Sequence, residues 1–327
     1  MPSCWSIEKL GIHLNLAAGS VNPDPDQPHY MASVGKIFTA TLIGILHDQN
    51  KLSFDDPIAK YLDAELMKGL HVYKGHDYSG DIKISHLLNQ TSGLADVFFH
   101  FFKKMLKEPF KITAREAVIW GKQNLKPKSR PGEKHVYTDT NYYLLGFIVE
   151  SVTGKPFHEA LHQFIFEPLG MNHAWMQGFS KPAVKSELPK AGFYIKGVNA
   201  SEIEGIYEID YAGGGVVATS AEYLKFMKAL VNHQLAKPET LQRMLSDDKR
   251  SMPNFRYGYS IWKTITMPVL LPEKYYCWGC AGLTGAYLFY HPKTETFMVV
   301  NFNDIAYTSK AFVFLLRKVV RELLKMK

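Results

Sequence analysis

A serine and a lysine three residues apart, in Ser33-Val34-Gly35-Lys36, stand at the head of a long apolar run. On a helix this spacing puts both side chains on one face, with Cβ atoms about 5–6 Å apart. Serine attacks a carbonyl only when a neighbour takes its proton, and a lysine whose pKa falls on burial can do that. The unpaired N–H groups of a helix N-terminus favour the negative charge that then develops. Two other constellations offer different chemistry. His158-Glu159-Ala160-Leu161-His162 reads H-E-x-x-H, which on a helix presents two imidazoles on one face and a glutamate as base, the pattern of a zinc peptidase. His173 and Glu187 are the nearby candidates for a third ligand. Cys277-Trp278-Gly279-Cys280 is a C-x-x-C pair, but a redox dithiol of that type opens a helix after a strand, whereas this pair precedes a predicted strand. No G-x-S-x-G elbow is present, and Gly35-Lys36 lacks the rest of a phosphate-binding loop.

The elements that must position these residues are unevenly distributed. Ile12, Leu14 and Leu16 alternate with His13 and Asn15, which predicts a half-buried strand ending at Gly19, and the Pro- and Asp-rich stretch 21–28 predicts a loop. A long helix begins near Ser33 and carries Ile37, Phe38, Leu42, Ile45 and Leu46 toward a core. Asp56-Pro57 predicts a further helix start, and Thr113 with Glu116 and Thr219 with Glu222 form capping boxes. Helices are also expected from Asn141 to a stop at Gly154, and from Pro156 to a stop before Pro168. Strands return at 257–265, 285–290 and 297–302, the last two as a hairpin, and a final helix covers 309–324. The two chain ends therefore build one sheet flanked by helices, while the middle forms a mostly helical lobe. In residue terms, 1–32 and 205–327 make the sheet domain and 33–204 the helical lobe, with the site at their junction.

Length and composition agree with a folded protein of this size. The 327 residues are 46% hydrophobic and 21% charged, which excludes a disordered, collagen-like or coiled-coil chain. The most apolar run, around 38–46, is too short to span a membrane. A formal net charge of +7 is mostly scattered, and no nucleic-acid-binding motif accompanies it. Three cysteines do not make a disulfide scaffold, and the start Met1-Pro2-Ser3-Cys4-Trp5 has none of the regions of a signal peptide, so a cytoplasmic location is expected.

Read together, the segments resemble the serine β-lactamase and penicillin-binding-protein superfamily, in its class C β-lactamase, D-aminopeptidase and esterase branch. Met31-Ala32-Ser33-Val34-Gly35-Lys36-Ile37-Phe38 is similar to the family's nucleophile segment, and Lys51-Leu52-Ser53-Phe54-Asp55-Asp56-Pro57 to the stretch that comes next in its members. His86-Leu87-Leu88-Asn89-Gln90-Thr91-Ser92-Gly93-Leu94, Phe166-Glu167-Pro168-Leu169-Gly170 and Ala212-Gly213-Gly214 resemble further signatures, in family order from about Gly11 onward. The fold this implies is α/β of the α+β type: an antiparallel sheet flanked by helices plus a helical lobe. The resemblance gives Tyr137, in Tyr137-Thr138-Asp139, the role of general base, which requires Lys36 as the cation that stabilises its phenolate. It assigns the oxyanion hole to the N–H groups of Ser33 and Leu283. Two positions depart from the pattern. Asp139 stands where asparagine is usual; it can hold Lys36 protonated but cannot donate an amide N–H. Cys280 takes the basic position of the Cys280-Ala281-Gly282 triplet, so a substrate carboxylate would lose its partner, while Gly282 lets a substrate approach the strand closely.

The activity implied is that of a serine hydrolase acting through an acyl-enzyme at Ser33 on a small-molecule ester or peptide-like substrate. Esters are favoured, and no cofactor, metal, nucleic acid or membrane span is called for. A catalytically quiet ligand binder and an H-E-x-x-H zinc peptidase stand as alternatives. The stretch before Gly11 is short against the helix and strand that usually open this fold, so an edge strand is expected to be missing.

Overall fold

The computed structural model describes residues 2–7, 10–19, 23–267 and 271–326, so the predicted loop at 21–28 lies partly outside the described residues. In chain order, β1 (Pro2–Ile7) and β2 (Ile12–Ala17) precede three short strands, β3 (His29–Tyr30), β4 (Trp175–Met176) and β5 (Val216–Ala218). Then come β6 (Lys249–Met252), β7 (Phe255–Tyr257), β8 (Trp262–Thr264), β9 (Trp278–Gly282), β10 (Ala286–His291) and β11 (Thr296–Asn301). The main sheet has eight strands in the order β6-β7-β8-β9-β10-β11-β1-β2, every neighbouring pair antiparallel. Strands β3, β5 and β4 form a smaller sheet.

The period-2 alternation of strands decides what each face touches. On β10 and β11, Tyr287, Phe289, Met298 and Val300 meet Ala311 and Leu315 from the C-terminal helical segment, while Leu288, Phe297 and Val299 enter the main core. That core is centred on α1 (Gly35–Asp48), in which every residue from Gly35 to Leu46 is buried. A helix apolar all round must lie in the interior, and α1 does. Around it stand α2 (Phe98–Met105), α3 (Ala114–Asn124), α4 (Thr140–Thr153), α5 (Phe157–Leu161), α6 (Ile206–Asp210) and α7 (Ser220–Val231). Phe38 of α1 stacks on Phe226 of α7, with ring centroids 3.7 Å apart. Both predicted capping boxes form, Thr113 with Glu116 and Thr219 with Glu222, and α4 stops at Gly154 in the left-handed conformation. Among the described residues no helix is long and apolar enough to cross a membrane.

Four expectations need correction. The residues before Gly11 do supply a strand: β1 pairs with β11 on one side and β2 on the other, so it lies inside the sheet. The single strand expected at 257–265 is two, β7 and β8, because Ser260 adopts a positive φ of 60° and gives its hydroxyl to the Lys36 carbonyl at 2.9 Å. Asp56-Pro57 opens only the 3₁₀ turn Ile58–Lys60, since the Asp56 carboxylate is taken by Ser53 N–H at 2.8 Å and by Lys60 and Tyr61. The C-x-x-C pair does not precede β9 but runs into it. Residues three apart on an extended chain point to opposite faces, so Cys277 enters the core under the C-terminal segment and Cys280 the main core, and both thiols are free.

Candidate active site

The nucleophile segment is a 3₁₀ turn, Ala32–Val34, leading directly into α1. Ala32 holds φ at 49°, a conformation that costs an L-residue about 1–2 kcal/mol, and the turn leaves Ser33 half-buried at a cavity lip while both neighbours are buried. One turn on, Lys36 is wholly buried; its Nζ donates to Ser33 Oγ at 3.0 Å and to the Gly213 carbonyl at 2.5 Å, and pairs with the Asp139 carboxylate. Burial alone would lower the Lys36 ammonium, but Asp139, with Tyr137 and Asp210 behind it, outweighs burial and keeps the group above its ordinary value. Lys36 is therefore a fixed cation, which corrects the expectation that burial turns it into a base.

Tyr137 reaches Ser33 from the segment ahead of α4. Its position rests on the stretch His86-Leu87-Leu88-Asn89-Gln90-Thr91-Ser92-Gly93-Leu94. Gln90 accepts Val136 N–H on its backbone oxygen at 2.8 Å, and Thr138 N–H and the Asn141 amide on its side chain at 3.0 and 2.7 Å. Gly93, at φ 78°, passes so close to Ser129 that a Cβ would sit 2.2 Å from its carbonyl oxygen. Tyr137 lines the same cavity as Ser33, and Lys36 Nζ lies 5.5 Å from its ring centroid. Burial pushes the phenol up; Lys36 and Ser33 pull it down, Asp139 adds to the rise, and the net shift is upward. Asp139 is committed to Lys36, and its own N–H donates to Asp96 at 2.7 Å.

Strand β9 closes the third side. A Cβ on Gly282 would lie 2.0 Å from the Met31 carbonyl oxygen, so this glycine is required by the packing of β9 on the nucleophile turn. Cys280 is 1% exposed and does not face the cavity: its thiol donates to the Ser33 carbonyl at 3.3 Å, and burial pushes it up to about 12. A side chain at 280 thus points under the nucleophile, which corrects the expectation that it faces a substrate carboxylate. Ala281, Gly282 and Leu283 do line the cavity, together with Ser33, Tyr137 and Asp139.

The cavity is about 710 Å³, in the range of small-molecule sites. Among the described residues its one imidazole, His135, is pulled down to about 4 by burial and so stays neutral. Sequence reasoning missed two carboxyl groups near this cluster, Asp210, which acts on Lys36, and Asp96, which holds the Asp139 N–H. Asp210 accepts from the Tyr30 hydroxyl, and burial lifts it to about 7, with Lys36 opposing and Asp139 adding to the rise. Asp96 is lifted by burial, then by Asp139, to about 6. No spacing rule singles out either one; Asp210 lies just before Ala212-Gly213-Gly214, which was the one available hint.

The H-E-x-x-H residues lie elsewhere, on a separate cavity of about 490 Å³. His158 is half-buried, Glu159 and His162 are exposed, and the backbone changes from α to π geometry at His162. His173 is held to the Val184 carbonyl at 2.8 Å. Among the described residues no three His, Cys, Asp or Glu side chains gather as a metal-binding group.

A model of the Beta-lactamase family matches residues 8–312. Among curated proteins, the putative penicillin-binding protein PbpX of Bacillus subtilis (strain 168) is 26% identical over 233 residues, 71% of this chain and 53% of that protein. The teichoic acid D-alanine hydrolase of Staphylococcus aureus (strain NCTC 8325 / PS 47) is 24% identical over 238 residues, 72% of this chain and 54% of the hydrolase. The chain thus spans about half the length of these curated relatives. Among solved structures, the D-amino acid amidase from Ochrobactrum anthropi SV3 complexed with D-phenylalanine superposes with a TM-score of 0.79 at 20% identity, over 99% of this chain and 93% of the amidase. A match that takes in the nucleophile turn, the tyrosine segment and the glycine-bearing strand leaves one conclusion: the chain belongs to the β-lactamase family, within the serine β-lactamase and penicillin-binding-protein superfamily.

Proposed function

We propose that the chain is a serine acyl-transfer hydrolase whose substrates are uncharged esters. Ser33 Oγ attacks the ester carbonyl as its proton passes to the Tyr137 oxygen, and the N–H groups of Ser33 and Leu283 hold the oxyanion. Tyr137 returns the proton to the leaving alcohol, and water then releases the acyl group by the same route in reverse. Lys36 stays charged throughout and stabilises the phenolate.

The observation that carries this reading is the contact of Ser33 Oγ with Lys36 Nζ, at 3.0 Å, on a cavity whose wall also holds Tyr137, with Lys36 Nζ 5.5 Å from the tyrosine ring centroid. The preference for uncharged esters rests on the cavity wall, which among the described residues has Asp139 and Asp210 but no arginine or lysine, and whose one histidine is neutral. The cation nearest Ser33, Lys36, is wholly buried and paired with Asp139, so it offers a substrate carboxylate no free partner. The upward shift of Tyr137 favours a second reading, a quiet ligand binder with the same cleft.

Intact-mass measurement after treatment with a fluorophosphonate and with p-nitrophenyl acetate separates the two. The hydrolase gains one adduct on Ser33 and turns over the ester, and Ser33→Ala does neither; the binder gains no adduct while folded. Retention of more than about a tenth of kcat by Ser33→Ala, a loss below about 1.4 kcal/mol, would refute Ser33 as the nucleophile.

A further inference from the structure

Beyond the ester bond itself, the cavity describes what is attached to it. One wall is α2, whose sequence Phe98-Phe99-His100-Phe101-Phe102 is divided by helical geometry. Phe98, Phe99 and Phe102 line the cavity, while Phe101 turns away and stacks on Phe110 at 5.7 Å. Phe98 and Phe102, four residues apart, stack on each other at 5.3 Å and 15°, so this wall is a continuous aromatic surface. Phe193, Phe255, Trp262, Ile206 and Leu283 supply other walls.

The aromatic wall is tied to the catalytic residues through a single side chain. One oxygen of Asp96 accepts Phe99 N–H at 2.9 Å, in the first turn of α2, and the other accepts Asp139 N–H at 2.7 Å. A substrate lying along α2 is therefore registered against Ser33. Volume argues in the same direction. A methylene group is about as large as a water molecule, roughly 30 Å³, so an acetyl group would leave most of the 710 Å³ empty, whereas a chain of about ten carbons, roughly 300 Å³, is accommodated with room left for the ester and the group on its other side. An empty apolar cavity forgoes dispersion and hydrophobic gain that a chain recovers.

We propose that the cleft binds esters carrying an unbranched apolar chain of about eight to twelve carbons, laid along Phe98, Phe99 and Phe102. This rests on the reading of Ser33 as an ester-cleaving nucleophile. Whether the chain is the acyl or the alcohol part is separated by two substrate series, p-nitrophenyl alkanoates from acetate to dodecanoate and alkyl acetates from ethyl to dodecyl. In one of them kcat/KM should rise about two- to fourfold per added methylene up to roughly eight carbons. In whichever series responds, Phe102→Ser should lower the ratio of the eight-carbon to the two-carbon substrate by at least about fivefold. If that variant does not fold, Met252→Glu, a charge on the exposed part of the cavity rim, should lower the same ratio. A calorimetric titration of Ser33→Ala with 1-octanol should saturate where ethanol does not, without any chemistry. Hydrolysis with an adduct on Ser33 but no chain-length dependence in either series overturns the chain proposal and leaves the hydrolase standing. No hydrolysis and no adduct, with saturable octanol binding, overturns the hydrolase and leaves an apolar-chain site; absence of octanol binding overturns the site.

Discussion

Asp139 does two opposed things to one proton relay. Its carboxylate keeps Lys36 charged, which the mechanism needs, yet its negative charge raises Tyr137, which the mechanism does not. Because the phenol lies above its ordinary value, the phenolate is scarce at neutral pH, and kcat/KM for p-nitrophenyl acetate should climb with pH between about 7 and 10, up to tenfold per unit. Asp139→Asn removes the raising charge while Lys36 keeps the Gly213 carbonyl and the nearby Asp210. The limb should then move to lower pH and the rate at pH 7 should increase, on the order of tenfold for each unit of displacement. Paired pH profiles of the two proteins check this, and an unmoved limb would remove Asp139 from the control of Tyr137. Ser33, Lys36 and Tyr137 were legible in the sequence because the first two share one turn and the third sits in a short motif. Asp210 was not, since its partner Tyr30 is 180 residues away and only the fold brings them together.

At the level of elements, β9 and the nucleophile turn are in backbone contact at Gly282. Gly282→Ala has no flexible side chain to push aside, so strand or turn must move. The expected cost is about 1–3 kcal/mol of stability together with at least a tenfold loss of kcat/KM, measured by thermal melting and ester hydrolysis on the same preparation. On α5 and the turn after it, by contrast, His158 and His162 line a cavity that shares no residue with the one around Ser33. Prolonged treatment with 1,10-phenanthroline should leave ester hydrolysis unchanged, and the double variant His158→Ala, His162→Ala should stay within about twofold of the parent; stoichiometric zinc whose removal stops turnover would reverse the assignment. Elements with local signals were read well from sequence: capping boxes satisfy N–H groups within one turn, and β10 and β11 are two apolar runs joined by a short turn through His291-Pro292-Lys293. The break between β7 and β8 was invisible because Ser260 leaves the extended conformation for a hydrogen bond to Lys36, a contact that no local pattern encodes. β1 was missed for a related reason: six residues that include Pro2, Ser3 and Ser6 carry little strand signal of their own, and the pairing with Thr296–Asn301 comes from the far end of the chain.

Across the whole molecule, Asp210 joins α6 to β3 and faces α1, so its ionisation bears on global stability. In the folded state it holds its proton up to about pH 7, whereas in the unfolded chain it releases it near 4. Between these limits unfolding releases a proton, so stability falls as pH rises, by as much as about 1.4 kcal/mol per unit, and the loss is complete above pH 7. Urea titrations at pH 5 and pH 8 should show wild-type protein losing on the order of a few kcal/mol more over this interval than Asp210→Asn, which has no proton to release. Equal changes in the two proteins would show that Asp210 titrates as an ordinary carboxyl. The position of β1 between β11 and β2 has a consequence of another kind, in the timing of biosynthesis. During synthesis β1 waits for a partner, Thr296–Asn301, made almost 300 residues later, about 15–60 s at ordinary rates of translation. Throughout that interval the β1–β2 pair has both edges open and no sheet to join, which makes the nascent chain, rather than the finished protein, the form most in need of a chaperone.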